Sequence, residues 1–203
     1  MIVKVCGMRE GNNIYSVETA GADLMGFICW PESKRNVSVR PSYLPSCPRV
    51  GVFVHPTIEQ VMAAHEMLSL DYVQLHGNEC ASLCKSIKDA ARLKLIKAIS
   101  ISQKEDVDKW MAYQDVADLF LFDTKCPSVG GSGRQFDWDI LQVYRGTVPF
   151  LLSGGIGPGD WERLLVWKHP QCVGIDINSC FELSPALKDV HALKEFIGKI
   201  KKS

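Results

Sequence analysis

The sequence predicts an α/β fold, a closed (β/α)8 barrel, from three observations. Short apolar runs recur eight times along 203 residues, amphipathic stretches separate them, and polar residues able to do chemistry gather where the runs end. The runs fall near residues 2–6, 23–29, 49–54, 71–75, 93–99, 118–123, 148–153 and 172–177. Helical spacing is plain in Ile58, Val61, Met62, His65 and Leu68, and in Leu83, Ile87, Ala90 and Ala91. It returns over residues 186–200, where Leu187, Val190, Leu193, Phe196, Ile197 and Ile200 share one side.

Helix starts are signalled as well. Thr57 precedes Glu59 and Gln60, Ser102 precedes Glu105 in a capping-box pattern, and Ser184-Pro185 reads as a cap followed by proline at the first helical position. Strand–helix alternation repeated eight times, with right-handed crossovers, closes into a barrel. An open doubly wound sheet is the other arrangement, but no Gly-x-Gly-x-x-Gly turn follows the first strand. With no linker or low-complexity tract, the expectation is one domain over residues 1–203, a minimal TIM barrel.

Lys plus Arg and Asp plus Glu stand at 23 each, so no excess charge points to nucleic acid or a membrane surface. Lys199, Lys201 and Lys202 read as a solvated helix end. No apolar run approaches the roughly 18–20 residues of a membrane span. A strand beginning at residue 2 leaves no room for a signal peptide, so the expected location is cytoplasmic. There the eight cysteines read as free thiols. Cys80 and Cys84 are spaced as helix-face neighbours, and two thiols alone make no metal site, so no metal is expected.

In such a barrel the chemistry sits at the carboxyl ends of the strands. In order, those ends carry Cys6-Gly7, the loop Ser33-Lys34-Arg35, His55, Gln74, His76-Gly77, Ser100, Asp123-Thr124-Lys125, Ser153-Gly154-Gly155 and residues 176–180. A thiol and a carboxyl at two strand ends suit acid–base work. His76 beside a turn, taken alone, reads as a hydrogen-bonded structural histidine. The loops after the seventh and eighth strands, with Gly154-Gly155 and Asn178-Ser179-Cys180, suit a phosphate, because glycine lets backbone N–H groups approach its oxygens.

Together these blocks carry a resemblance. Val3-Lys4-Val5-Cys6-Gly7, Gly26-Phe27, Ser33-Lys34-Arg35, Val50-Gly51-Val52-Phe53-Val54 and Val73-Gln74-Leu75-His76-Gly77 come first. Phe122-Asp123-Thr124, Gly130-Gly131-Ser132-Gly133, Phe136-Asp137-Trp138, Leu152-Ser153-Gly154-Gly155 and Gly174-Ile175-Asp176 follow in the same order. The chain resembles the phosphoribosylanthranilate isomerases, barrel enzymes of tryptophan biosynthesis. The resemblance implies an Amadori rearrangement of a phosphorylated aminoaldose to an aminoketose, without metal or organic cofactor.

It further implies Cys6 as general base, Asp123 as general acid, and Arg35 against the anthranilate carboxylate. Gly7, Gln74, His76, Gly131, Gly133, Ser153, Gly154, Gly155, Asp176, Ser179 and Cys180 complete the expected substrate contacts. The expected assembly is a monomer or a homodimer.

The chemistry sets conditions of its own. An acid at position 123 must keep its proton near neutral pH, which an apolar strand end favours. A base at position 6 must ionise from about 8.5, so a nearby cation helps, and Lys4 points to the same side of the strand. Two departures from the family pattern stand out. Asn178-Ser179-Cys180 replaces Ser-Ser-Gly, so a side chain at 180 is expected to crowd the phosphate; Ser132 stands where threonine is common. The glycine-rich loop over residues 126–135 is expected to close over the substrate. The histidine-pathway isomerase, a larger barrel with aspartate ending its first strand, fits less well, and a catalytically silent sugar-phosphate binder would not need both Cys6 and Asp123.

Overall fold

The structure, a computed structural model, describes residues 1–124 and 135–202. Its strands are β1 (Ile2–Val5), β2 (Leu24–Ile28), β3 (Arg49–Phe53), β4 (Tyr72–Leu75), β5 (Lys94–Ile101), β6 (Leu119–Thr124), β7 (Phe150–Leu152) and β8 (Cys172–Ile177). Each pairs in parallel with the next, and β1 pairs with β8, so the sheet is a closed barrel. Every apolar run of the sequence became a strand.

Period-two alternation sorts the strand residues. Leu24, Val50, Val52, Ile96, Ala98, Leu119, Leu121 and Leu151 form the interior cluster together with Cys6. The alternate residues, such as Val3, Val5, Phe53, Leu75, Phe120 and Phe122, pack outward into the larger core under the helices. This parity also sends Lys4, Gln74, Asp123, Ser153 and Asp176 inward, since each lies two residues along from an interior position or opposite one in register.

The helical layer is thinner than eightfold alternation predicts. The described residues hold α1 (Gly11–Thr19), α2 (Ile58–Leu68), α3 (Ala81–Ala91), α4 (Trp161–Val166) and α5 (Val190–Lys201). No helix follows β2, because Pro31, Pro41, Pro45 and Pro48 remove donors and forbid helical geometry in the residues before them. Short 3₁₀ segments, Lys104–Ala112 and Trp138–Val143, follow β5 and β6.

The helix starts divide. Thr57 caps α2 as expected, in a reciprocal box with Gln60. The box expected at Ser102 and Glu105 is instead closed by Asp106, whose carboxylate accepts from the Ser102 N–H and hydroxyl, the Gln103 N–H and Lys109. The Ser184-Pro185 start is also corrected. Those residues belong to a hairpin of β9 (Glu182–Ser184) and β10 (Leu187–Lys188), turned through Ala186 at φ +69°, and α5 begins after the Asp189 cap. At the C-terminal end, Lys201 binds the Gly21 carbonyl and Asp23 rather than water alone.

Burial alone would raise the Asp106 carboxyl, but its bonds to Lys109, Ser102 and Gln103 outweigh that and hold it well below the usual range. Asp106→Ala is expected to lower stability by about 1–2 kcal/mol, the size of a lost cap. Because the folded pKa is depressed, this contribution is complete above the unfolded value near ~3.9 and disappears as pH falls through the folded value. Urea titrations of both proteins at pH 7 and pH 3 check it; a gap that widens on acidification contradicts the assignment.

Candidate active site at the carboxyl ends of the strands

Cys6 follows β1 and is almost wholly enclosed at 4% exposure. Its room comes from Gly26 on β2, where an added Cβ would stand 2.7 Å from the Cys6 sulfur. Two residues earlier, the buried Lys4 Nζ donates to Asp176 Oδ1 at 2.6 Å, and the Ser153 hydroxyl donates to Asp176 Oδ2 at 3.2 Å. Lys4 and Asp176 lie directly opposite in the β1–β8 ladder, so the pair spans the strands that close the barrel.

Lys4 lies near enough for its charge to act on the thiol. Burial pushes the Cys6 thiol up, and the pull of Lys4 and Lys188 only partly opposes it. Burial works against the Lys4 charge too, but Asp176 and Cys6 outweigh it and hold the ammonium above its usual range.

A second ionic group adjoins the thiol. Arg35 Nε donates to Glu182 Oε1 and Oε2 at 2.9 and 3.0 Å, and its Nη2 donates to Oε2 at 2.6 Å. Lys188 Nζ, wholly buried, donates to Glu182 Oε1 at 2.7 Å and Asn178 Oδ1 at 2.6 Å. The Lys188 backbone is clasped by Asn13 of α1, whose amide donates to the Lys188 carbonyl and accepts from its N–H. Gly7, at φ +77°, leaves space for both neighbours: a Cβ there would meet Asn178 Oδ1 at 2.7 Å and Arg35 Cδ at 2.9 Å.

Across the barrel, Asp123 is the penultimate residue of β6. Its Oδ2 lies 3.2 Å from His76 Nε2, and its Oδ1 accepts from the Thr124 N–H at 2.9 Å. The Gln74 amide donates to His76 Nδ1 at 3.0 Å, which leaves Nε2 as the ring donor toward Asp123. Gln74 and His76 therefore engage one another and the carboxyl.

The last two loops face each other. Gly154 and Gly155 have φ of +92° and +66°, and a Cβ on Gly154 would run into the Thr124 backbone nitrogen at 2.7 Å. Cys180 sits in a 3₁₀ turn, Ser179–Phe181, with no left-handed φ, and its thiol donates to the Gly155 carbonyl at 3.5 Å. The side chain at 180 thus ties the two loops together.

The barrel accordingly brings Cys6, Gly7, Arg35, Gln74, His76, Asp123, Ser153, Gly154, Gly155, Asp176, Ser179 and Cys180 to one end. Gly131, Gly133 and the loop 126–135, apart from Gln135, lie outside the described residues. His55 has an exposed side chain, beside Glu79. Sequence reasoning missed Glu182, Lys188 and Asn13. Their one signal was charge and amide chemistry near motif residues, and nothing in the spacing linked them. Among the described residues the cysteines are free thiols, and no group of three or more His, Cys, Asp or Glu side chains is placed to hold a metal.

A family model described as N-(5'phosphoribosyl)anthranilate (PRA) isomerase matches residues 3–199. The chain belongs to this family. It is 52% identical over 202 residues to the N-(5'-phosphoribosyl)anthranilate isomerase of Phocaeicola vulgatus, covering 99% of this chain and 98% of that one. It superposes on monomers of the dimeric phosphoribosylanthranilate isomerase of Thermotoga maritima with a TM-score of 0.81 and 28% identity, both chains covered in full. An isomerase structure holding reduced 1-(o-carboxyphenylamino)-1-deoxyribulose 5-phosphate matches with a TM-score of 0.81 and 29% identity, again over both whole chains.

In this isomerase barrel, Lys4→Met strips a buried carboxylate of its cation and is expected to cost about 3–5 kcal/mol of stability. Adding Asp176→Leu is expected to restore much of it, because no uncompensated charge then remains. Denaturant midpoints of the single and double variants check this. A double variant no more stable than Lys4→Met contradicts it.

Proposed function

We propose that this chain is an N-(5-phosphoribosyl)anthranilate isomerase of tryptophan biosynthesis, acting as one barrel domain over residues 1–203. The observation that carries the reading is a buried thiol and a carboxyl on strands across the barrel, both turned into one mouth beside an arginine.

Asp123, oriented by His76 and the Thr124 N–H, acts as the acid that protonates the ribose ring oxygen. The ring opens to a Schiff base whose cationic nitrogen acidifies the C2 hydrogen. The Cys6 thiolate removes that hydrogen, C1 of the enolamine takes up a proton, and the ketone results. Acid and base each contribute about 10²- to 10⁴-fold. Arg35 meets the anthranilate carboxylate, and backbone N–H groups of Gly154, Gly155, Ser179 and Cys180 hold the phosphate. Ser153 and Asp176 support this from below by fixing Lys4, while Gln74 fixes His76. No cofactor takes part.

No described helix is long and apolar enough to cross a membrane, which is compatible with a cytoplasmic location. The Thermotoga maritima relative, dimeric and also obtained as monomers, supports a monomer or a homodimer.

Decay of anthranilate-type fluorescence on adding freshly made phosphoribosylanthranilate, with no metal supplied, tests the reading. Rapid decay is expected, with at least a ~10²-fold loss in Cys6→Ala and in Asp123→Asn. Well-folded protein that leaves the substrate untouched contradicts the proposal.

Gly26→Ala is expected to lower kcat/KM about tenfold or more, because the new methyl meets the sulfur and must displace it. Steady-state rates check this, with circular dichroism as the control for folding. The pH profile follows from the upward shift of the thiol. The base must be deprotonated, so kcat/KM is expected to rise with pH beyond the ordinary thiol value of about 8.5. A profile level from pH 7 to 9 removes Cys6 as the titrating base.

A further inference from the structure

We propose that Glu182 is a positioning residue that aims Arg35 at the carboxylate of the substrate's aryl amine and thereby sets the preference for a carboxylated ring; this rests on the isomerase reading. A guanidinium presents two edges able to fork a carboxylate, one formed by Nε and Nη2 and the other by Nη1 and Nη2. Glu182 occupies the first edge completely, through Nε at 2.9 and 3.0 Å and Nη2 at 2.6 Å. Nη1 donates to none of the described residues. Two parallel bonds to one carboxylate fix the plane of the guanidinium, so the direction of its second edge is set before any ligand arrives.

The alternative is that Glu182 merely occupies the substrate's place and is displaced by it. Its other bonds argue against this. Glu182 Oε1 also accepts from Lys188 Nζ at 2.7 Å and from the Ala186 N–H at 3.1 Å, and the side chain is 5% exposed. Displacing it would leave Lys188 buried beside Arg35 without its counter-ion, a cost that one incoming carboxylate does not cover. The charges also match. Arg35, Lys188 and Glu182 sum to one excess positive charge, which suits a ligand carboxylate on the open edge. Gly7 fixes the approach from the other side, since the Arg35 stem lies where a Cβ at position 7 would stand.

The test compares phosphoribosylanthranilate with the aniline counterpart that lacks the carboxylate, following product by chromatography. The ratio of the two kcat/KM values does not depend on how much of a preparation is folded. Wild type is expected to prefer the carboxylated substrate strongly. In Glu182→Gln that preference is expected to collapse on the order of tenfold or more, chiefly through a higher KM for phosphoribosylanthranilate. Glu182→Asp keeps the charge and recovers part of the preference; if the glutamine variant is insoluble, the aspartate ratio decides alone. In an Arg35→Ala background, Glu182→Gln is expected to leave the ratio unchanged, because the group it positions is gone. An equal loss on both substrates, or an intact preference, overturns the proposal while the isomerase reading stands. A wild type inert toward both substrates overturns the two together.

Discussion

The buried bond between Lys4 and Asp176 is the interaction on which the rest of this site depends. Two charges withdrawn from water survive only with close partners, and here each has them. Lys4 has the carboxylate at 2.6 Å and the Cys6 thiol beside it, and Asp176 has Lys4 and the Ser153 hydroxyl. The two residues face one another across β1 and β8, neighbours in the barrel that come from opposite ends of the chain. Closure and the candidate site are therefore coupled: a register slip of one residue would turn Lys4 and Cys6 outward together.

Around that pair the structure uses absence of side chains as much as their presence. Gly26 leaves the volume that Cys6 fills, Gly7 leaves the volume that Arg35 and Asn178 share, and Gly154 allows the β7 loop to lie against Thr124. Each is a contact of under 3 Å that any Cβ would make impossible without movement. The carboxyl at Asp123 is held differently, by hydrogen bonds on both oxygens from His76 and the Thr124 N–H. The thiol is confined by packing and the carboxyl by polar bonds, which suits a group that hydrogen-bonds weakly and one that does so strongly.

The barrel was legible because its strands are buried on both faces, so each appears as a continuous apolar run. Cys6, Asp123 and the glycine-rich loops were legible because they stand where those runs end. The missing helix after β2 was also readable, from four prolines in one connection, although the eightfold rhythm concealed it. What could not be read was the set of long-range polar pairings. Arg35 and Glu182 are 147 residues apart, and Glu182 and Lys188 sit in a hairpin without the periodicity that reveals a buried face. The bond from the Cys180 thiol to the Gly155 carbonyl, 25 residues away, was hidden for the same reason.

The central claim is that the Cys6 thiolate removes the C2 hydrogen inside this cluster of charges. Single-turnover rates with substrate carrying deuterium at C2 test it most directly, because product release does not enter the measurement. The account predicts slower conversion of the deuterated substrate by the wild type, and no conversion of either isotopologue by Cys6→Ala on the same timescale. A Cys6→Ala protein that converts both, with the same isotope effect as the wild type, would show that another group takes the proton.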